Sequence, residues 1–140
     1  MMRRSGYFDS IDPQIIRQQL SHSQGIFITA GAKGCYYSLA HQNGFVPAFD
    51  VDAVDTTGAG DSFVAACIHQ LCQQGIDSIK DRQAAIKLIG YAAAAGAITT
   101  LQAGAIDAQP TDVDIINFLS NANDIIEEST NNAHEHLETQ

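Results

Sequence analysis

A seven-residue segment of small side chains, from Asp55 to Asp61, constrains the fold of this chain more than any other sequence feature. It is Asp-Thr-Thr-Gly-Ala-Gly-Asp, and it continues directly into Ser-Phe-Val-Ala-Ala. Gly58 and Gly60 lack a Cβ atom, so the backbone can turn sharply there and come close to another molecule. The segment therefore predicts a tight loop that opens a helix at about Gly60.

The start of a helix favours negative charge. Its first N–H groups have no partner within the helix, and the helix dipole adds a partial positive charge. Such a loop can hold the charge that develops on phosphate oxygens, and the adjacent Asp61 can accept a proton from an attacking hydroxyl. An anion-binding loop beside a base is a layout for phosphoryl transfer to an alcohol. The alternative is an ordinary loop-to-helix connection in which Asp61 is an N-cap.

The full segment closely resembles the C-terminal signature of the ribokinase-like, or PfkB-type, carbohydrate kinases. In that family the GAGD loop is the anion hole and its aspartate is the catalytic base. The resemblance implies that Asp61 is the base and that Gly58, Ala59 and Gly60 form the hole. It also implies an α/β fold, namely the C-terminal portion of a three-layer Rossmann-like, ribokinase-type fold.

A second segment, Thr29–Gly34, resembles the nucleotide-contacting turn of the same family. It follows a predicted buried strand and precedes the GAGD loop in the chain. For Lys33, a solvated lysine in an exposed turn is the alternative to a phosphate contact. The nucleotide contacts that the resemblance implies here and in the anion hole are Thr29, Gly31, Lys33, Gly34 and Gly60.

Residues 96–111 resemble the bacterial and plant fructokinases of that family. In the family this region flanks the adenine, and Ala93 stands where relatives commonly carry Asn or His. The family often surrounds a monovalent cation with carbonyl groups near the positions of Asp55, Thr57 and Gly104. The resemblance thus implies ATP with Mg²⁺, K⁺ as a further ion, and fructose or a related sugar as acceptor.

The resemblance covers residues 10–120, which correspond only to the C-terminal part of the family fold. The family's sugar-binding residues and its N-x-x-E motif lie on the N-terminal side of this part. No Asn precedes Asn43 and no Glu precedes Glu127 in this chain, so the motif is missing. We therefore expect little or no kinase activity from this chain alone, and sugar binding only when an N-terminal part is supplied.

Three functional hypotheses stay open at this point. The chain is the nucleotide-binding and catalytic-loop part of a sugar kinase, a non-catalytic nucleotide-binding or regulatory module, or a decayed sequence without a ligand. An incomplete sheet also predicts a homo-oligomer or a complementing N-terminal fragment as partner, because unpaired strand edges recruit other chains.

Composition limits the other functional classes. The net charge of −9 over 140 residues argues against nucleic acid or anionic membrane as a partner. No apolar run approaches the roughly 20 residues of a membrane span, and no apolar stretch follows the basic N-terminus as in a secretory signal. The three cysteines lack metal-site spacing, which favours buried or half-buried free thiols. We therefore expect a cytoplasmic protein.

The predicted elements alternate between the helical and the extended type. Residues 1–121 form the kinase-like unit, whereas the polar residues 122–140 are expected to be a disordered tail, with a metal-binding tract at His134 and His136 as the alternative. The predicted helices span residues 13–21, 60–74 and 81–99 and a segment after Pro110; the predicted strands span 26–29, 35–39 and 45–49, with turns at 31–34 and 42–44.

Overall fold

The computed structural model describes residues 12–39 and 42–123, which form three layers. The middle layer is an antiparallel sheet in the order β1 (Gly25–Thr29), β2 (Gly34–Leu39), β3 (Gln42–Pro47). The helices are α1 (Pro13–Gln19), α2 (Ala59–Gln74), α3 (Arg82–Thr100) and α4, which covers residues 112–123. Two short 3-10 helices, Gly31–Lys33 and Ile76–Lys80, lie between these elements.

The central strand β2 separates two helical layers. Its side chains Cys35, Tyr37 and Leu39 are buried in the same core as residues of α2, α3 and α4. Successive residues of a strand point to opposite faces, so Ser38 faces the other side, where α1 packs on β1 and β2. The predicted three-layer α/β architecture is thereby confirmed for the described residues.

Small residues let α3 pack closely against α2. Ala92, Ala94 and Ala95 are buried in the core. At Gly96 a Cβ atom would lie 3.2 Å from the carbonyl oxygen of Ala59, the first residue of α2. The small-residue run of α3 therefore brings its C-terminal half against the beginning of α2.

The prediction of a turn at residues 42–44 is wrong. Gln42 already belongs to β3, and Gly44 pairs with Tyr37 of β2. A Cβ atom at Gly44 would lie 2.5 Å from the Tyr37 hydroxyl oxygen. The glycine is therefore required by the ring that crosses it, and not by a reversal of the chain. The 3-10 helix Ile76–Lys80 was also not predicted from the sequence.

The helix boundaries agree well with the sequence. Asp81 caps α3, because its carboxylate accepts the N–H of Ala84 at 2.9 Å, and Gly75 ends α2 by donating to the carbonyl of Leu71. Within the described ranges, no helix is long and apolar enough to cross a membrane. Residues 122 and 123 continue α4, and the remainder of the predicted tail, with both of its histidines, lies outside the described residues.

The thiols differ from one another. Burial raises the pKa of Cys35 to about 11 and that of Cys67 to about 12, which makes both unreactive. Cys72 is exposed on α2, so the expectation that all three thiols are at least half-buried is wrong for this residue. The reason is its position five residues after Cys67, which lies on a different face of the helix.

The strand β1 lies at an edge of the sheet although its sequence is typical of an interior strand. Ile26, Phe27 and Ile28 are consecutive, apolar and half-buried, without the charge or proline that protects natural edges. At the opposite edge, β3 contains Pro47 and alternates between half-buried and exposed residues. In the described part of the chain β1 pairs only with β2, so its outer backbone groups are available to another strand.

We expect the isolated chain to associate into dimers or larger species through β1, measured by size-exclusion chromatography with light scattering. Ile28 and Phe45 are matched positions, since each flanks Tyr36 in the sheet register, at opposite edges. Ile28→Lys should reduce association by charging the β1 edge, whereas Phe45→Lys should leave it unchanged. A parent chain that stays monomeric at every concentration and binds no hydrophobic dye would contradict this prediction.

Candidate functional site

The loop before α2 is tied to the C-terminal end of α3. The N–H groups of Val54 and Asp55 both donate to the carbonyl oxygen of Thr100, at 2.7 and 3.1 Å. Thr100 itself is buried, and its hydroxyl donates to the carbonyl of Ala97. The end of α3 therefore sets the position of the loop from which α2 begins.

The carboxylate of Asp55 joins two loops that are distant in sequence. One oxygen accepts the N–H of Thr57 at 2.9 Å, and the other accepts the N–H of Gly104 at 3.2 Å. Hydrogen bonds from the Thr57 side chain and backbone, followed by that from Gly104, lower the pKa of Asp55 from its ordinary value of 3.8, because they favour the ionised form. The sequence resemblance placed Asp55, Thr57 and Gly104 near a monovalent cation, and these three residues thus lie close together.

Gly58 is the most crowded point of the loop. Its φ of +82° lies in the left-handed region that side chains disfavour. A Cβ atom there would lie 2.9 Å from the Cβ of Ala105. The sequence predicted that the backbone at Gly58 comes close to another molecule. In the structure it comes close to residues 101–109 of the same chain, which form a loop.

Gly60 and Asp61 face open space. Apart from its chain neighbours and the backbone of its own helix, no atom lies within 4 Å of the position that a Cβ on Gly60 would occupy, and Asp61 is exposed in the first turn of α2. The N–H of Ala59 donates to Thr56 and that of Ser62 donates to Gly58. The two residues between Ala59 and Ser62 are Gly60 and Asp61, and their N–H groups have no acceptor among the described residues. Two free donors at the start of a 16-residue helix, with a carboxylate beside them, can bind an anion.

The predicted nucleotide turn forms between β1 and β2. Thr29 ends β1, the 3-10 helix Gly31–Lys33 follows, and Gly34 begins β2. Thr29, Gly31 and Lys33 are exposed, and the carbonyl of Lys33 accepts the N–H of Ala48 at 3.2 Å. Within residues 12–39 and 42–123, no hydrogen bond joins this turn to the loop Gly58–Asp61.

Ala93 lies on α3, half-buried and packed against the core. Its position gives it packing contacts within the protein in addition to any role at a ligand.

Sequence reasoning missed Thr100 and Ala105 as parts of this site. Thr100 acts through its carbonyl oxygen and Ala105 through its contact with Gly58. Neither role depends on distinctive side-chain chemistry, so residue type carries no signal for it. Both residues lie in the region 96–111, which was noticed only through its resemblance to fructokinases.

A partly buried hydrogen bond joins α4 to α3. The Tyr91 hydroxyl donates to the Asp112 carboxylate at 2.5 Å, next to the capping pair of Thr111 and Asp114. Burial, followed by the bond to Asp112, raises the pKa of Tyr91 to about 12. Since this bond lies directly after the loop 101–109, it fixes the far end of that loop.

The comparisons of this chain with known proteins all point to one family. Residues 12–112 match the pfkB family carbohydrate kinases. The Arabidopsis thaliana protein named "Probable fructokinase-3" is 46% identical over 95 residues, covering 67% of this chain and 27% of that protein. The crystal structure of fructokinase with bound ATP from Xylella fastidiosa superposes with a TM-score of 0.74 at 25% identity, covering 85% of this chain and 39% of that one.

A second solved structure is the Vibrio cholerae fructokinase double mutant with fructose, ADP and potassium ion bound. It has a TM-score of 0.66 at 25% identity over 79% of this chain and 36% of that one. The chain thus spans well under half the length of these relatives. The match over residues 12–112, together with the loop that opens α2, establishes that this chain belongs to the pfkB family of carbohydrate kinases.

Proposed function

We propose that this chain supplies the nucleotide-binding and catalytic-loop part of an ATP-dependent sugar kinase and is inactive without an N-terminal part. The observation that carries the proposal is the pair of free N–H groups at Gly60 and Asp61, beside an exposed carboxylate and open space. Fructose is the proposed acceptor, because the relatives are named fructokinases.

The proposed chemistry is mostly positioning and charge stabilisation. The free N–H groups stabilise charge on the oxygens of the transferred phosphoryl group. Asp61 accepts the proton of the sugar hydroxyl as the new bond to phosphorus forms. Thr29, Gly31, Lys33 and Gly34 are proposed to contact the nucleotide, with Ala93 near the adenine.

The loop and its neighbour offer carboxylate and carbonyl oxygen atoms, which are the kind that bind cations. Each carboxylate oxygen of Asp55 accepts one N–H and keeps further acceptor capacity. Together with the backbone carbonyls of Thr57 and Gly104 it can hold K⁺, which neutralises charge near the anion loop. Mg²⁺ is proposed to arrive with the ATP phosphates, its usual partners.

A second candidate is a nucleotide-binding or regulatory module without catalysis. The observation that favours it is the loop itself, because the free N–H groups of Gly60 and Asp61 suit phosphate binding whether or not a hydroxyl is aligned beside them. An anion loop without a bound acceptor neither aligns a hydroxyl nor excludes water. ATP affinity without phosphorylation of any sugar, even after an N-terminal part is supplied, would support this candidate.

We expect the chain to bind ATP weakly and only with magnesium, because the net charge of −9 opposes the nucleotide. Calorimetric titration measures this. Gly60→Val should abolish binding by crowding the phosphate, whereas Gly90→Val is the matched control, since both glycines are helical and have open space. Equal affinities for the two variants, or no heat from a folded parent at millimolar ATP, would refute the proposed loop.

The proposed base is tested by Asp61→Asn in a fusion of this chain to the N-terminal part of a fructokinase relative. Asparagine keeps the size but cannot accept the proton, so turnover should fall by ~10²-fold or more while ATP binding changes little. Asp52→Asn, at an exposed carboxylate before the loop, is the control and should retain turnover. Turnover of Asp61→Asn within a few-fold of the parent would leave Asp61 only a favourable interaction with the helix dipole in the first turn of α2, because Gly58 and not Asp61 is the N-cap of that helix.

The loop junction is tested by Asp55→Asn. Since the pKa of Asp55 is lowered in the folded chain, its stabilising effect is complete above pH 3.8 and disappears as the pH falls through the lowered value. The melting temperature of the parent should therefore exceed that of the variant at neutral pH, and the difference should vanish in acid.

Asp114→Asn is the matched control for this variant, because the Asp114 carboxylate also accepts backbone and hydroxyl donors but only from Thr111 in its own turn. It should show a similar pH dependence and leave ATP affinity unchanged, whereas Asp55→Asn should weaken ATP binding. If both variants bind ATP like the parent, the Asp55 bonds do not position the anion loop.

A further inference from the structure

The outer side of α2 carries apolar side chains that none of the described residues covers. Val64 and Ile68 are 54% and 56% exposed, and Cys72, which follows at the same spacing of four residues, is also exposed. Residues four apart lie on one side of a helix, so these three residues form a continuous stripe, called here the α2 stripe. The opposite side of α2 is the one buried in the core.

The α2 stripe lacks the charges that an exposed helix face ordinarily carries. Residues 62–74 contain no Asp, Glu, Lys or Arg. In contrast, the exposed residues of α3 include Arg82 and Lys87, and those of α4 include Asp112 and Asp114. An apolar, uncharged helix face on an acidic chain is typical of a surface that packs against another protein surface.

The α2 stripe leads directly to the candidate base. Asp61 precedes Ile68 by seven residues and Cys72 by eleven, so the three positions lie within about 20° of one another around the helix axis. Asp61 is exposed like the stripe. A surface that covers the whole stripe therefore lies on the same side of α2 as the carboxylate of Asp61.

Two observations identify the surface that covers the stripe. The chain spans 27% of the Arabidopsis relative and 39% of the Xylella structure, so these kinases contain further residues of the same unit. Under the proposed function, a sugar hydroxyl has to be held beside Asp61 and shielded from water. The part of the kinase that holds the acceptor therefore has to approach α2 at the end where the stripe meets Asp61.

We propose that the α2 stripe is the docking surface for an apolar face of the N-terminal part of the kinase, which is the part expected to bind the acceptor. The identity of this partner rests on the proposed function. Docking removes the side chains of Val64 and Ile68 from water, which favours the contact, and it closes the exposed side of Asp61. The α2 stripe differs from the β1 edge, which offers backbone hydrogen bonds to another strand.

The thiol of Cys72 reports directly on whether the stripe is covered. Cys72 is exposed whereas Cys35 and Cys67 are buried, so it is the thiol that a maleimide labels first. The experiment compares its labelling rate, followed by peptide mass spectrometry, in the isolated full chain and in the fusion to the N-terminal part of a fructokinase relative. We expect labelling to be at least roughly tenfold slower in the fusion, because a covered thiol reacts only when the contact opens.

Ile68→Lys tests the stripe itself, and Ile116→Lys is its matched control. Both isoleucines lie on helices, and they are 56% and 51% exposed. Because burying an unpaired ammonium group is costly, Ile68→Lys should restore fast labelling of Cys72 in the fusion, whereas Ile116→Lys should leave it slow. Circular dichroism checks that both variants fold, and the comparison of the unsubstituted chain with its fusion tests the proposal without any variant.

Equal labelling rates in the isolated chain and the fusion would overturn the proposal, as would equal protection of Cys72 in the two variants. Slow labelling of the isolated chain would also overturn it. The stripe would then be covered by a second copy if the rate depends on concentration, and by other residues of the same chain if it does not.

Labelling does not depend on turnover, so this inference and the proposed function can fail separately. A protected Cys72 in an inactive fusion would support the docking surface and contradict the proposed function. An active fusion in which Cys72 stays fully reactive would overturn the docking surface alone.

Discussion

The close packing of α3 on α2 is the constraint on which the candidate site depends. It needs small residues on α3, because the backbone of Gly96 passes near the carbonyl of Ala59 at the start of α2. The same approach brings the end of α3 beside the loop that opens α2, where the Thr100 carbonyl accepts two backbone N–H groups from that loop. A larger side chain at Gly96 would therefore change both the core and the geometry of the loop that opens α2.

The loop itself is divided into a closed and an open half. At Gly58 the backbone is held against Ala105, and Asp55 bonds across to Gly104, so this half is shaped by the chain. At Gly60 and Asp61 no such contact exists among the described residues, and the N–H groups face open space. This division has a physical logic, since donors stabilise developing charge best when the backbone that carries them is already fixed.

The two edges of the sheet differ as strongly as the two halves of the loop. The β3 edge contains Pro47 and alternates between half-buried and exposed residues, whereas β1 is a run of apolar residues typical of a strand that is paired on both sides. The chain also spans well under half the length of its fructokinase relatives. The face of the sheet under α1 is polar at Ser38 and Asn43 and aromatic at Tyr36 and Phe45, which sets it apart from the apolar core on the opposite face.

The sequence by itself was sufficient for the family, the helices and the loop Gly58–Asp61, because glycine spacing, helix caps and apolar periodicity are local properties. It was insufficient where a residue's role depends on a partner distant in the chain. Asn43 and Gly44 have the local signature of a turn, yet they lie in β3 because the Tyr37 ring requires a residue without a side chain opposite it. The contact of Gly58 with Ala105 and the bond of Asp55 to Gly104 were likewise decided by tertiary structure, since only the packing of α3 on α2 brings those loops together.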